Sequence, residues 1–247
     1  MTNDATPPTS QAGSETDSIS IARQAIVDDK GKVSALVDSD HPAVQAFARA
    51  TAKGTTDRER AVALYGAVRD QFRYDPYCVD LSRQGMRAST VLAQGVGWCV
   101  TKAALLTAAC RAAGITARLG FADVRNHLST ERMRQLMKTD EFVWHGYSEI
   151  WLDGAWRKAT PAFNIGLCTR FGLLPLEFNG VDDSIYHPFD TRGQRHMEYL
   201  REHGSFDDVP LERIRADFAK YYPGWGEPTG ALNQANFDAD VSREVGS

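Results

Sequence analysis

The sequence predicts an α+β fold in which a helical N-terminal part packs on an antiparallel sheet, followed by a C-terminal extension. Two observations predict it. Apolar residues recur at helical spacing through most of the stretch 40–114. Beyond it lie two strand-like runs, 142–152 and 155–160, joined by Asp153-Gly154, a dipeptide that favours a two-residue hairpin turn. Helices first and a hairpin afterwards is the α+β order. A length of 247 residues, 43% of them hydrophobic and 24% charged, suits a soluble domain with appended segments.

In chain order, residues 1–18 are polar and rich in Thr, Ser, Asp and Pro, which predicts a disordered tail. A core follows over 19–170, then the extension over 171–247. Ile19, Ile21, Ile26 and Val27 suggest a short strand, although 19–37 as a whole is ambiguous. Asp40-His41-Pro42 opens a helix, since Asp can cap and Pro is tolerated in a first turn. Val44, Phe47 and Ala48 give its apolar face, and Gly54 ends it. Thr56 or Asp57 caps the next helix, which buries Val62, Leu64, Tyr65, Val68 and Phe72 until Tyr74-Asp75-Pro76 breaks it. A helical turn at 89–93 leads into Gly95-Val-Gly97, and a helix rich in Ala and Leu runs from Cys99 to Gly114. Residues 115–121 alternate like a strand. The polar stretch 126–139 reads as a helix with Met133, Leu136 and Met137 turned inward. After 171 the chain is aromatic and charged without a clean period, apart from one helix over 210–222. It is expected to pack over the core or to line an acyl pocket.

A net charge of −4 and the lack of any Lys/Arg-rich run argue against a nucleic-acid or membrane-surface binder. No apolar run approaches the roughly 20 residues of a membrane span. The N-terminus lacks the basic-plus-apolar pattern of a signal sequence, so the cytoplasm is the expected compartment. Cys78, Cys99, Cys110 and Cys168 form no CxxC pair, and His187, His196 and His203 lack ligand spacing. Neither a disulfide framework nor a structural metal is expected, and no cofactor.

Cys99 is the candidate nucleophile. It follows a glycine-rich turn and starts a helix, where unpaired N–H groups and the dipole favour a thiolate. A depression of one or two units from the usual value of about 8.5 is expected there. The alternative is a small buried apolar residue, which is what most free cysteines are. His145 lies in the strand before the hairpin. A two-residue turn sets Trp151 opposite Trp156, Glu149 opposite Lys158 and Tyr147 opposite Thr160, giving one aromatic and one opposite-charge pair. His145 then shares the face of Tyr147 and lies diagonal to Thr160, about 7–8 Å away at the backbone. Thr160 is therefore a candidate to orient the imidazole. A half-buried core histidine is the competing reading.

Cysteine at a helix start, then histidine on a strand, then a polar residue on the next strand resembles the transglutaminase-like superfamily of papain-type thiol enzymes. The resemblance is carried by Gly95-Val-Gly-Trp-Cys99, by the helix exit Arg111-Ala-Ala-Gly-Ile-Thr-Ala-Arg118, by His145-Gly-Tyr-Ser-Glu-Ile-Trp-Leu-Asp-Gly-Ala-Trp156 and by Thr160-Pro161. It extends over roughly 57–163. It implies that Cys99 attacks a carbonyl to give a thioester, with His145 as general base and then acid. The family places Asp four residues after the hairpin Trp, where this chain has Thr160; Asn164 is the alternative orienter. The implied oxyanion hole takes the Cys99 backbone N–H and a second donor from Gln94 or Tyr74. Trp98 walls the cleft or packs beside it, and His187 and His196 are rival bases. Two functions follow: a thiol peptidase, amidase or amine acyltransferase acting on a peptide, amide or thioester, or a non-catalytic binding module on the same fold.

Overall fold

The structure is a computed structural model. It describes residues 35–126, 129–185, 193, 196–223, 225 and 235–245. The tail at 1–18, the strand suggested in 19–37 and His187 lie outside the described residues.

Helix α1, Pro42–Thr51, is capped by the ring of His41, whose Nδ1 accepts from the Ala43 N–H at 3.2 Å, and not by Asp40 as the sequence suggested. Helix α2, Asp57–Gln71, starts with a reciprocal box in which Thr56 and Glu59 satisfy each other's backbone N–H groups. Strand β1, Arg73–Tyr74, then runs parallel to β2, Val96–Gly97, with the short helix α3, Ala88–Gln94, between them. Gly95 ends α3 in a left-handed conformation, as the turn requires.

Helix α4, Cys99–Ala112, has no polar face: every residue from Cys99 to Cys110 is buried. Its alanines suit that position, because strands and helices close on it from all sides. The main sheet has the order β5-β4-β3-β6, formed by β3 Ala117–Asn126, β4 Glu141–Leu152, β5 Ala155–Ala159 and β6 Met197–Phe206. Ser148 of β4 donates to the Ala103 carbonyl of α4 at 3.0 Å and meets the Thr107 hydroxyl at 3.0 Å. Gly146 marks the closest approach, since a Cβ there would stand 2.9 Å from Val100 Cα. Only glycine lets β4 pass this near the start of α4.

The hairpin has the expected register, with Trp151 on Trp156 at 5.4 Å between ring centroids and Glu149 opposite Lys158. The charge pair nevertheless does not form. Glu149 bonds Arg118 and Ser205 instead, and Lys158 reaches Glu202 at 2.6 Å. Side-chain length lets both reach across the sheet to partners the two-strand register does not include.

Between the inner strands lies helix α5, Glu131–Met137, with Met133 and Met137 buried. The C-terminal third is more regular than its sequence suggested. It holds α6 Ile165–Phe171, strand β6, α7 Leu211–Tyr221 and α8 Phe237–Val245. Strand β6 pairs with β3 along its length, so this segment completes the sheet rather than merely lying on it. The described residues all belong to one compact unit. As an edge strand β6 lacks apolar alternation, with Leu200 exposed, which is why periodicity did not reveal it.

Candidate active site

Cys99, His145, Tyr74 and Trp98 line one cleft. Three local devices bring them together. The β1–β2 ladder pairs Tyr74 with Gly97, two residues before the thiol. Thr101 accepts the Trp98 N–H at 3.1 Å and fixes the entry to α4. Gly146 lets β4 rest on Val100, next to His145 in sequence.

Burial dominates the electrostatics. The thiol is raised to about 11, although the N–H groups of Gly146, Val100 and Cys99 point at the sulfur and pull the other way. The lowered thiol expected from the helix start is thus not what this closed cleft provides. His145 is lowered from 6.5 to about 4, first by burial and then by the nearby charge of His196. The two groups rest as neutral thiol and neutral imidazole at pH 7. The Tyr74 phenol is raised well above its usual value by burial and then by Cys99, so it remains a donor. Its hydroxyl makes no hydrogen bond among the described residues.

The remaining candidates separate. Thr160 is 1% exposed, and its hydroxyl has no hydrogen-bond partner among the described residues, the His145 ring included. Its backbone is engaged instead, the N–H with Ser184 at 3.0 Å and the carbonyl with the Tyr65 hydroxyl at 3.2 Å. Asn164 accepts the Tyr74 N–H at 3.2 Å, so its side-chain oxygen is engaged by β1. Gln94 is exposed at the end of α3 and is not among the residues lining the cleft. His196 is buried beside Phe163, with ring centroids 6.3 Å apart.

Sequence reasoning missed a support directly behind His145. Trp144 has φ 61°, a left-handed angle rare for a large residue, at a slip in the β3–β4 register. Asp123 accepts its N–H at 3.0 Å and bonds His203 at 2.6 Å, while the Trp144 ring stacks on His203 at 4.0 Å and its indole N–H donates to Asp217 at 2.7 Å. Lys102, one turn beyond Cys99, is fully buried with its ammonium on the carbonyls of Arg69, Phe72 and Ala162 at 2.6–2.9 Å. Among the described residues no three His, Cys, Asp or Glu side chains gather to hold a metal ion, and no helix is long and apolar enough to cross a membrane.

Residues 45–161 match the model of the transglutaminase-like superfamily. A solved structure of a proposed protease from Parabacteroides distasonis ATCC 8503 is similar at 18% identity, with a TM-score of 0.35, over 51% of this chain and 26% of that one. A proposed cysteine protease from Cytophaga hutchinsonii is similar at 16% identity, with a TM-score of 0.43, over 74% of this chain and 54% of that one. This chain thus spans about a quarter and about half of the lengths of those two proteins. No curated protein gives a significant match. The segment 45–161, with Cys99 at the start of its buried helix and His145 on the strand beside it, is thus similar to a transglutaminase-like domain.

Proposed function

We propose that this chain is a thiol-dependent acyl-transfer enzyme, a peptidase, amidase or amine acyltransferase, working through Cys99. The observation that carries the reading is the placement of a thiol, an imidazole and an unengaged phenol on one buried cleft. From a neutral resting pair, His145 takes the Cys99 proton as the sulfur adds to the substrate carbonyl. The carbonyl electron pair moves to oxygen, where the Cys99 backbone N–H and the Tyr74 hydroxyl are the donors in reach. Collapse expels the amine, protonated by His145, and leaves a thioester. Water or a second amine then attacks the thioester and returns the thiol. Starting from a neutral pair makes substrate entry the event that drives proton transfer.

The binding-module reading keeps one observation in its favour: an uncharged Thr160 at the position where the resemblance implies Asp. Iodoacetamide labelling at neutral pH, mapped by peptide, separates the two. Cys99 is expected to react faster than Cys110 and Cys168, and His145→Ala to slow it by about tenfold or more. Faster labelling of Cys168, or an unchanged rate in His145→Ala, contradicts the enzyme reading.

A further inference from the structure

The wall of the cleft carries two kinds of group. Near the thiol are two donors, the Tyr74 hydroxyl and the Trp98 indole N–H, which is buried with no hydrogen-bond partner among the described residues. Most of the rest of the wall is apolar, including Met133 and Met137 of α5, Phe142 and Val143 of β4, Phe218 of α7 and Tyr222 just beyond α7. Tyr222 adds to this wall because its polar tip is turned away. The hydroxyl accepts the Val143 N–H and donates to the Glu141 carbonyl, each at 2.7 Å, so the strand uses it and the ring is left facing the cleft. Phe218 packs edge-on against Trp98 at 5.8 Å. No Asp, Glu, Lys or Arg lines the cleft among the described residues.

We propose that the acyl group delivered to Cys99 carries a bulky apolar side chain of leucine or phenylalanine size, seated against Met133, Met137, Phe142 and Phe218. The inference rests on the thiol-enzyme reading and narrows it to a substrate class. The carbonyl oxygen is received by the donors beside the thiol, and the side chain lies on the apolar wall. The two methionines adapt that wall to aliphatic or aromatic shapes, because their unbranched thioethers change conformation at low cost. A charged side chain placed there would give up its water for a surface with nothing to pair it.

The test compares acyloxymethyl ketones that share one reactive group and differ only in the side chain beside the ketone. Phenylalanine, leucine, lysine and aspartate reagents are used, with iodoacetamide as the reference without a side chain, and Cys99 modification is followed by mass. The Phe and Leu reagents are expected to modify Cys99 at least about tenfold faster than the Lys and Asp reagents. In Met137→Glu the Lys-to-Phe rate ratio should rise by at least about tenfold, since a carboxylate then faces the cationic side chain. That ratio is measured within one variant and is insensitive to how much of it is folded. Equal rates for all four reagents in the wild type, with Cys99 reacting, overturn the proposal and leave the thiol reading standing. Failure of every reagent, iodoacetamide included, to modify Cys99 in the folded protein overturns both.

Discussion

The two ends of β4 obey different rules. At the hairpin end, from Ser148 to Leu152, the register is regular and each residue faces the partner that a two-residue turn dictates. At the other end the ladder slips, Trp144 takes a left-handed angle, and Asp123 rather than a strand carbonyl receives its N–H. The regular end holds the sheet together. The irregular end carries His145 into the cleft. A left-handed non-glycine residue costs about 1–2 kcal/mol, and it persists here because Asp123, His203 and Asp217 surround it with partners. Strain at the irregular end is thus offset by the polar network built on Asp123.

Substitutions should expose that contrast, and the largest effect should come from His145. Its folded imidazole titrates near 4 and the unfolded one near 6.5. As the pH falls from 6.5 to 4, the unfolded chain takes up a proton that the folded chain refuses, so stability is lost through that window. The loss amounts to about 3 kcal/mol. His145→Asn cannot titrate, and its unfolding free energy should fall less steeply between pH 6.5 and 4 by that amount. Parallel denaturation curves for the two proteins would mean that His145 is not buried as described.

Asp123→Ala comes next. It leaves the Trp144 N–H unpaired and removes the partner of His203, at a cost of about 2 kcal/mol. Asp123→Asn keeps an acceptor and should recover at least half of that loss in urea unfolding. Equal losses in both variants would show that the carboxylate charge, not the acceptor, supports the irregular end. At the hairpin, Trp151→Ala removes one ring of an aromatic pair and should cost about 1 kcal/mol while leaving Cys99 alkylation unchanged. A slowed alkylation would join the two ends that the structure separates. The smallest effect belongs to Thr160→Val, which replaces a buried hydroxyl that has no partner with a methyl group. Stability should stay within about 1 kcal/mol of wild type or rise slightly. A marked loss of stability would reveal a hydrogen bond made by that hydroxyl.

The same contrast explains what could be read in advance. Helices α2 and α4, the hairpin and its register follow local rules: a capping box, a run of Ala and Leu, and an Asp-Gly turn. That Cys99 and His145 meet at one cleft follows from the glycine loop and from β4, which bring the helix start and the strand together. The orienting role of Thr160 failed because the inferred diagonal located a backbone position, not the direction of a hydroxyl. The bulge at Trp144 had no signal, since its stabiliser, Asp123, lies on another strand and His203 on a third. The raised thiol was equally invisible: a helix start lowers a thiol, but burial by α7 residues over 100 positions away prevails.

The central claim is that Cys99 and His145 act as one pair. The most direct measurement is the mass of the protein after brief exposure to the p-nitrophenyl ester of N-acetyl-phenylalanine. The acyl group should be retained as a thioester, with p-nitrophenolate released, and peptide mapping should locate it on Cys99. The adduct should form at least about a hundredfold more slowly in His145→Ala. Acylation of Cys78 or Cys168 instead, or an unchanged rate in His145→Ala, would contradict the account.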